Sequence, residues 1–115
     1  MQVLDFDERP WGYYEVLLEL PETKVKQIHV DVGERLSYQF HENRDETWVI
    51  VAGTAKVTLN DKDLVFKPGQ VVQIPRGTKH RVEAIGKENL IFIEVQTGDY
   101  FGEDDIIRLK DDYGR

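Results

Sequence analysis

The chain has no cysteine, one methionine and only three histidines among its 115 residues. Without thiols, disulfides, zinc ribbons and thiolate catalysis are excluded. Positive charge is scarce as well: 15 Lys and Arg face 22 Asp and Glu, for a net charge of −7. Binding to a phosphate backbone needs a basic face, so no nucleic-acid partner is expected. Long apolar runs are also absent. The longest are strand-length stretches such as Trp48 to Ala52, too short to cross a bilayer. The opening residues, MQVLDFDERPWG, carry acids where a secretion signal needs bases and an apolar stretch. A cytoplasmic protein forming a single domain over residues 1–115 is the expectation.

What is present is punctuation at short intervals. Turn residues fall at Pro21-Glu22-Thr23, Val32-Gly33-Glu34, Asn60-Asp61-Lys62-Asp63, Lys67-Pro68-Gly69, Pro75-Arg76-Gly77 and Ile85-Gly86-Lys87. Between them lie runs rich in Val, Ile, Thr and aromatics: 13–20, 25–32, 35–41, 47–51, 55–59, 71–74, 80–84 and 90–95. Several alternate with period two, so Lys26, Ile28, Val30 and Val32 share one face while Gln27, His29 and Asp31 share the other. On that reading His29 is exposed. Many short strands at this spacing predict an all-β sandwich or barrel. The tail from Gly98 to Arg115 is rich in acids. Charge runs of that kind are usually solvated, although Tyr100, Phe101, Ile106, Ile107 and Leu109 give it the means to pack.

Two segments carry chemistry. In the run from Arg35, alternation places Arg35, Ser37, Gln39 and His41 on one face, and Glu46 opens the next strand. The second segment delivers His80 just after the Pro75-Arg76-Gly77 turn. Gln39, His41, Glu46 and His80 together offer two imidazoles, a carboxylate and an amide oxygen, a set that suits a divalent first-row ion with an open coordination position. Trp11 and Trp48 read as core or rim packing.

The spacing of these residues resembles the paired motifs of the cupin superfamily. Gly33, Gln39-Phe40-His41, Glu46 and Gly53 match the first motif except that Gln39 replaces a histidine, and Gly69, Pro75, Gly77 and His80 match the second. RPWG at 9–12, GTAKV at 53–57, IPRGTKHR at 74–81, IEVQTGDYFGEDDI at 93–106 and DDYGR at 111–115 narrow the resemblance to the type II mannose-6-phosphate isomerase domain. That domain forms the C-terminal part of bifunctional enzymes and also occurs alone.

The resemblance implies a double-stranded β-helix, or jelly roll. It also implies one divalent metal, with Zn first and Mn, Co, Ni or Fe as alternatives, on Gln39, His41, Glu46 and His80. The implied activity is interconversion of mannose 6-phosphate and fructose 6-phosphate. Lys26 and Glu94 are the candidates for proton transfer, Arg35, Arg44 and Arg81 those for holding the sugar phosphate, and a homodimer is expected. Asn43 and Thr47 stand where the family pattern has histidines. A second reading therefore stands beside the first: a non-catalytic metal-containing cupin that binds a sugar phosphate or another small ligand.

Overall fold

A computed structural model describes residues 2–114. It is built from eleven strands and one short 3-10 turn at Glu103–Asp105. In chain order the strands are β1 (Asp5–Arg9), β2 (Gly12–Leu20), β3 (Thr23–Val30), β4 (Tyr38–Phe40), β5 (Arg44–Ala52), β6 (Ala55–Leu59), β7 (Lys62–Phe66), β8 (Val71–Ile74), β9 (His80–Ala84), β10 (Leu90–Gly98) and β11 (Ile107–Lys110). They form a six-stranded sheet ordered β1-β2-β3-β10-β5-β8 and a five-stranded sheet ordered β11-β4-β9-β6-β7, with every strand pairing antiparallel. Both sheets turn one face onto a common core, as a jelly-roll barrel requires. Among the described residues no helix is long and apolar enough to cross a membrane.

Alternation decides which residues enter the barrel. On β5 the inward side chains are Arg44, Glu46, Trp48 and Ile50, and on β10 they are Leu90, Phe92, Glu94 and Gln96. On β3 they are Lys26, Ile28 and Val30. One end of the barrel is therefore apolar, with the Trp48 and Phe92 rings 4.7 Å apart, and the other end is polar. The polar end is set by register: Glu94 lies opposite Lys26 on one side and Trp48 on the other, while Gln96 lies opposite Glu46.

Glycine matters where β10 meets β5. Gly98 has φ +153° and faces Arg44, and a Cβ there would sit 2.4 Å from the Asn43 carbonyl oxygen. No side chain fits in that space, so β10 can run alongside the first residue of β5.

The strands at 13–20, 55–59, 71–74 and 80–84 fall where the sequence places them, while several others depart from it. β4 is only three residues long, and Arg35 makes just an isolated bridge to Glu83. β5 starts at Arg44, three residues before its apolar run, because β10 pairs with it that far. Val32 lies beyond β3 and is exposed. β1 and β7 were not anticipated, since their mixed, largely exposed residues leave no periodic signal. The acidic tail is not solvated throughout, because β11 pairs with β4.

Phe92 is fully buried at the centre of β10. Phe92→Ala is expected to cost about 3–5 kcal/mol of unfolding free energy. Urea denaturation checks this, with the midpoint falling and the slope unchanged.

Candidate metal and anion site

The polar end of the barrel opens into a cavity lined from both sheets. Three of the predicted ligands meet at its base. His41 follows β4, Glu46 is on β5 and His80 opens β9; all are buried, and one donor atom from each falls within 4.8 Å of the others. His41 Nε2 lies 3.0 Å from Glu46 Oε2, and His80 Nε2 lies 4.0 Å from Glu46 Oε1. Donor atoms about 2.1 Å from one ion sit about 3.0–3.4 Å apart, so the closer pair is already at ligand spacing.

The imidazoles are also oriented for coordination. His41 Nδ1 donates to the Asp105 carbonyl at 3.2 Å, and His80 Nδ1 donates to the Thr78 carbonyl at 2.9 Å. A carbonyl only accepts, so Nδ1 carries a proton in each ring and Nε2, the atom turned toward Glu46, is the one that would face an ion. The residues present fit a divalent ion. Gln39 lies across from His80 in the β4–β9 pairing and lines the same cavity. Its Nε2 is held by Ser37 Oγ at 2.9 Å.

Burial dictates the electrostatics. Glu46 is desolvated, which pushes its carboxyl up. Hydrogen bonds from His41 and Glu94 and the neighbouring imidazoles outweigh that and hold it well below the usual carboxylate range. Trp48 Nε1 donates to Glu46 Oε1 at 3.0 Å, and Arg44 Nε donates to Glu46 Oε2 at 2.9 Å. Glu94 has the opposite character. Burial, then the adjacent Glu46 carboxylate, push it up to about 8, and Gln96 Nε2 and Trp48 Nε1 donate to it at 2.8 and 3.2 Å. One carboxylate is thus kept charged beside a carboxylic acid that is kept neutral. Burial lowers Lys26 against the raising effect of Glu94 and Glu103, and its Nζ lies 4.2 Å over the Tyr14 ring. Burial also lowers His80.

The other predicted site residues divide. Lys26 and Glu94 do line the cavity, as alternation along their strands implies. Arg44 is 4% exposed and points inward. Arg35 is misplaced by the sequence reading. The chain before β4 is not a regular strand, so alternation does not extend back from His41. Arg35 instead grips Asp112 on the outside, through Nε at 2.5 Å and Nη2 at 3.0 Å. Arg81 reaches the cavity wall, but its Nε donates to the Leu36 carbonyl at 2.7 Å and its Nη2 lies 3.6 Å from Asp112. His29 is half-buried rather than exposed, stacked on Tyr13 at 4.2 Å. Trp11 and Trp48 both belong to the core, and Trp48 adds the hydrogen bonds above.

Sequence reasoning missed the C-terminal strap. The Asp105 carboxylate accepts from the backbone N–H groups of Glu42 and Asn43 and from Asn43 Nδ2, at 3.0–3.1 Å. Glu103 binds Arg9 and Tyr14, and Ile106 and Arg108 complete the cavity wall. In an acidic run, nothing about residue type separates Asp105 from its solvated neighbours.

The jelly roll, with a buried His-Glu-His cluster in its open end that could hold a metal ion, places the chain in the cupin fold class. Residues 3–111 match the model of the family described as "Mannose-6-phosphate isomerase C-terminal", and the chain belongs to that family. It is 46% identical over 107 residues to a mannose-1-phosphate guanylyltransferase of Klebsiella pneumoniae, covering 93% of this chain and 23% of that protein. It is 48% identical to the alginate biosynthesis protein AlgA of Pseudomonas aeruginosa, covering 93% and 22% respectively. The chain thus spans less than a quarter of these relatives. Among solved structures, KdgF from Halomonas sp. superposes with a TM-score of 0.75 at 20% identity, over 87% of this chain and 89% of that one, which supports the fold.

These comparisons correct the functional expectation. The relatives are named for guanylyl transfer and polysaccharide biosynthesis, not for isomerisation, so interconversion of mannose 6-phosphate and fructose 6-phosphate is not carried forward. The family's name travels with the domain.

The Glu94 environment has a measurable consequence. Its folded value of about 8 lies above the ordinary 4.5, so the native state holds a proton that the unfolded chain releases. The contribution of this group to stability therefore falls as pH rises between those two values. In metal-free protein, urea unfolding from pH 5 to 9 is expected to show this decline, and Glu94→Gln flattens it. An equal slope in the variant counts against the assignment.

Proposed function

We propose that this chain is a metal-binding sugar-phosphate domain acting in mannose-phosphate metabolism, in the service of guanylyl transfer rather than of isomerisation. The observation that carries the reading is the composition of one cavity. His41, Glu46 and His80 form its base, and Lys26, Arg44, Arg9, Arg81 and Arg108 stand in its wall against Glu46, Glu94 and Glu103. Glu94 is neutral below about pH 8. A cationic recess in a chain of net charge −7 suits an anion small enough to enter it.

In this reading zinc is the first choice of ion, since nitrogen and oxygen donors suit it, and Gln39 supplies a fourth donor. The ion offers Lewis-acid attraction to a sugar oxygen. Lys26 and Arg44 face the phosphate, and Arg81 steadies the rim. Glu94 stays protonated and so adds no negative charge beside the phosphate. Mannose 1-phosphate and mannose 6-phosphate are the natural candidates, given the guanylyltransferase relatives.

Metal analysis of the purified protein should find about one equivalent of a divalent ion. Either mannose phosphate should then raise the melting temperature in the metal-loaded sample, with free mannose doing so much less. Glu46→Gln and His80→Ala should lose both the ion and the ligand shift. A protein that retains no metal and shows no shift with any of the three sugars overturns the proposal.

A homodimer belongs to the same reading. Ile93, Val49 and Val71 form a cross-strand row on the outer face of the six-stranded sheet, and Val49 and Val71 are 37% and 48% exposed. A second copy of this sheet would cover the row. Light scattering at micromolar concentration is expected to give twice the monomer mass, and a monomer mass removes this element.

A further inference from the structure

The cluster that fits a metal is engaged by a cation from its own chain. Arg44 Nε donates to Glu46 Oε2 at 2.9 Å, and Arg44 Nη2 lies 3.3 Å from His41 Nε2. His41 Nδ1 is committed to the Asp105 carbonyl, so Nε2 is the ring atom left to face an ion, and it is this atom and Glu46 Oε2 that the guanidinium crowds. An ion bound between them needs the place the guanidinium fills.

The remaining guanidinium nitrogen completes the picture. Arg44 Nη1 is buried and without a hydrogen-bond partner among the described residues. Such a group is costly to leave unsatisfied, so the fork is only partly served where it sits. Lys26 lines the same cavity, with its Nζ over the face of the Tyr14 ring and its charge answered by Glu94 and Glu103. Arg44 is the inward cation with capacity for an anion that its present neighbours do not fill.

We propose that Arg44 is a displaceable resident cation: it holds Glu46 and His41 in the metal-free protein, and metal binding exchanges it out toward the cavity, where it takes an oxyanion. The idea rests on the metal-site reading above and adds to it an order of events. Without metal, the guanidinium neutralises a buried carboxylate that would otherwise destabilise the fold. With metal, that task passes to the ion. Arg44 is released with its donors unpaired, and an oxyanion satisfies them. Metal and anion are then positively coupled through one side chain, as linkage requires of two ligands that favour the same state.

Titration of the full chain with Co²⁺, followed by calorimetry, tests the exchange, with sulfate as the oxyanion probe. Arg44→Met should bind Co²⁺ about tenfold more tightly than wild type, because no guanidinium has to leave, while its metal-free melting temperature falls. Sulfate should tighten Co²⁺ binding in the wild type and have much less effect in the variant. Arg44→Lys, which keeps the charge but loses the fork, should fall between the two and carries the test alone if Arg44→Met does not fold. Co²⁺ affinity in these variants equal to or below wild type overturns the exchange. Sulfate coupling that is absent from the wild type, or undiminished in Arg44→Met, overturns the release step. If wild type and variants alike fail to bind Co²⁺, the metal reading itself has failed, and the exchange with it.

Discussion

The structure is organised around one buried carboxylate. Glu46 sits almost out of reach of solvent on an inward position of β5. An isolated charge there would cost several kcal/mol, enough to unfold a small domain. Each neighbour answers that demand. Trp48 supplies an indole N–H, Arg44 a guanidinium, and His41 and His80 their imidazoles, while Glu94 takes up a proton instead of adding a second charge. What looks like a list of site residues is a set of responses to a single desolvated group.

Holding those responses in place falls to the C-terminal strap. Asp105 ties down the backbone of Glu42 and Asn43 with its carboxylate and fixes the His41 ring with its carbonyl. Further along, Asp112 is gripped by Arg35, and Tyr113 donates to Glu34 at 2.5 Å. The strap thereby anchors both the loop before β4 and the loop after it, the two segments that aim Gln39 and His41. Exposed ion pairs such as Arg35–Asp112 contribute little to stability. Their value here is positional, since they tie the end of the chain to the segment before β4.

How far the sequence could be read depends on how local each feature is. Lys26 and Glu94 were legible because β3 and β10 are long and regular, so period-two alternation carries along them without slipping. His41, Glu46 and His80 were legible because their motif spacing resembles that of the cupins, more than from residue type alone. Arg35 was not, because alternation was extended through residues that are not a strand. Arg44 was read as a loop residue since the apolar signal of β5 starts later than its hydrogen bonding, and that pairing is set by β10, some fifty residues away. Asp105 was invisible for the same reason in stronger form. Its role depends on a fold-over of the chain end that no local pattern encodes.

The charge of the whole chain and that of the cavity point in opposite directions, and this shapes how a ligand would arrive. With a net charge of −7, the outer surface repels an anion at long range, though over distances shortened by physiological salt to about 8 Å. Inside the cavity the sign is reversed by inward cations and by a Glu94 that burial keeps neutral. Attraction therefore begins only at the mouth, where low-dielectric walls concentrate the field. On the proposed reading such a recess would discriminate by entry: large polyanions would meet the acidic exterior and be turned away, whereas a small phosphate ester would reach the cations. The acidity that argues against a nucleic-acid partner would, on the proposed reading, act as a filter on which phosphates are admitted, and salt should relax that filter for large anions more than for small ones.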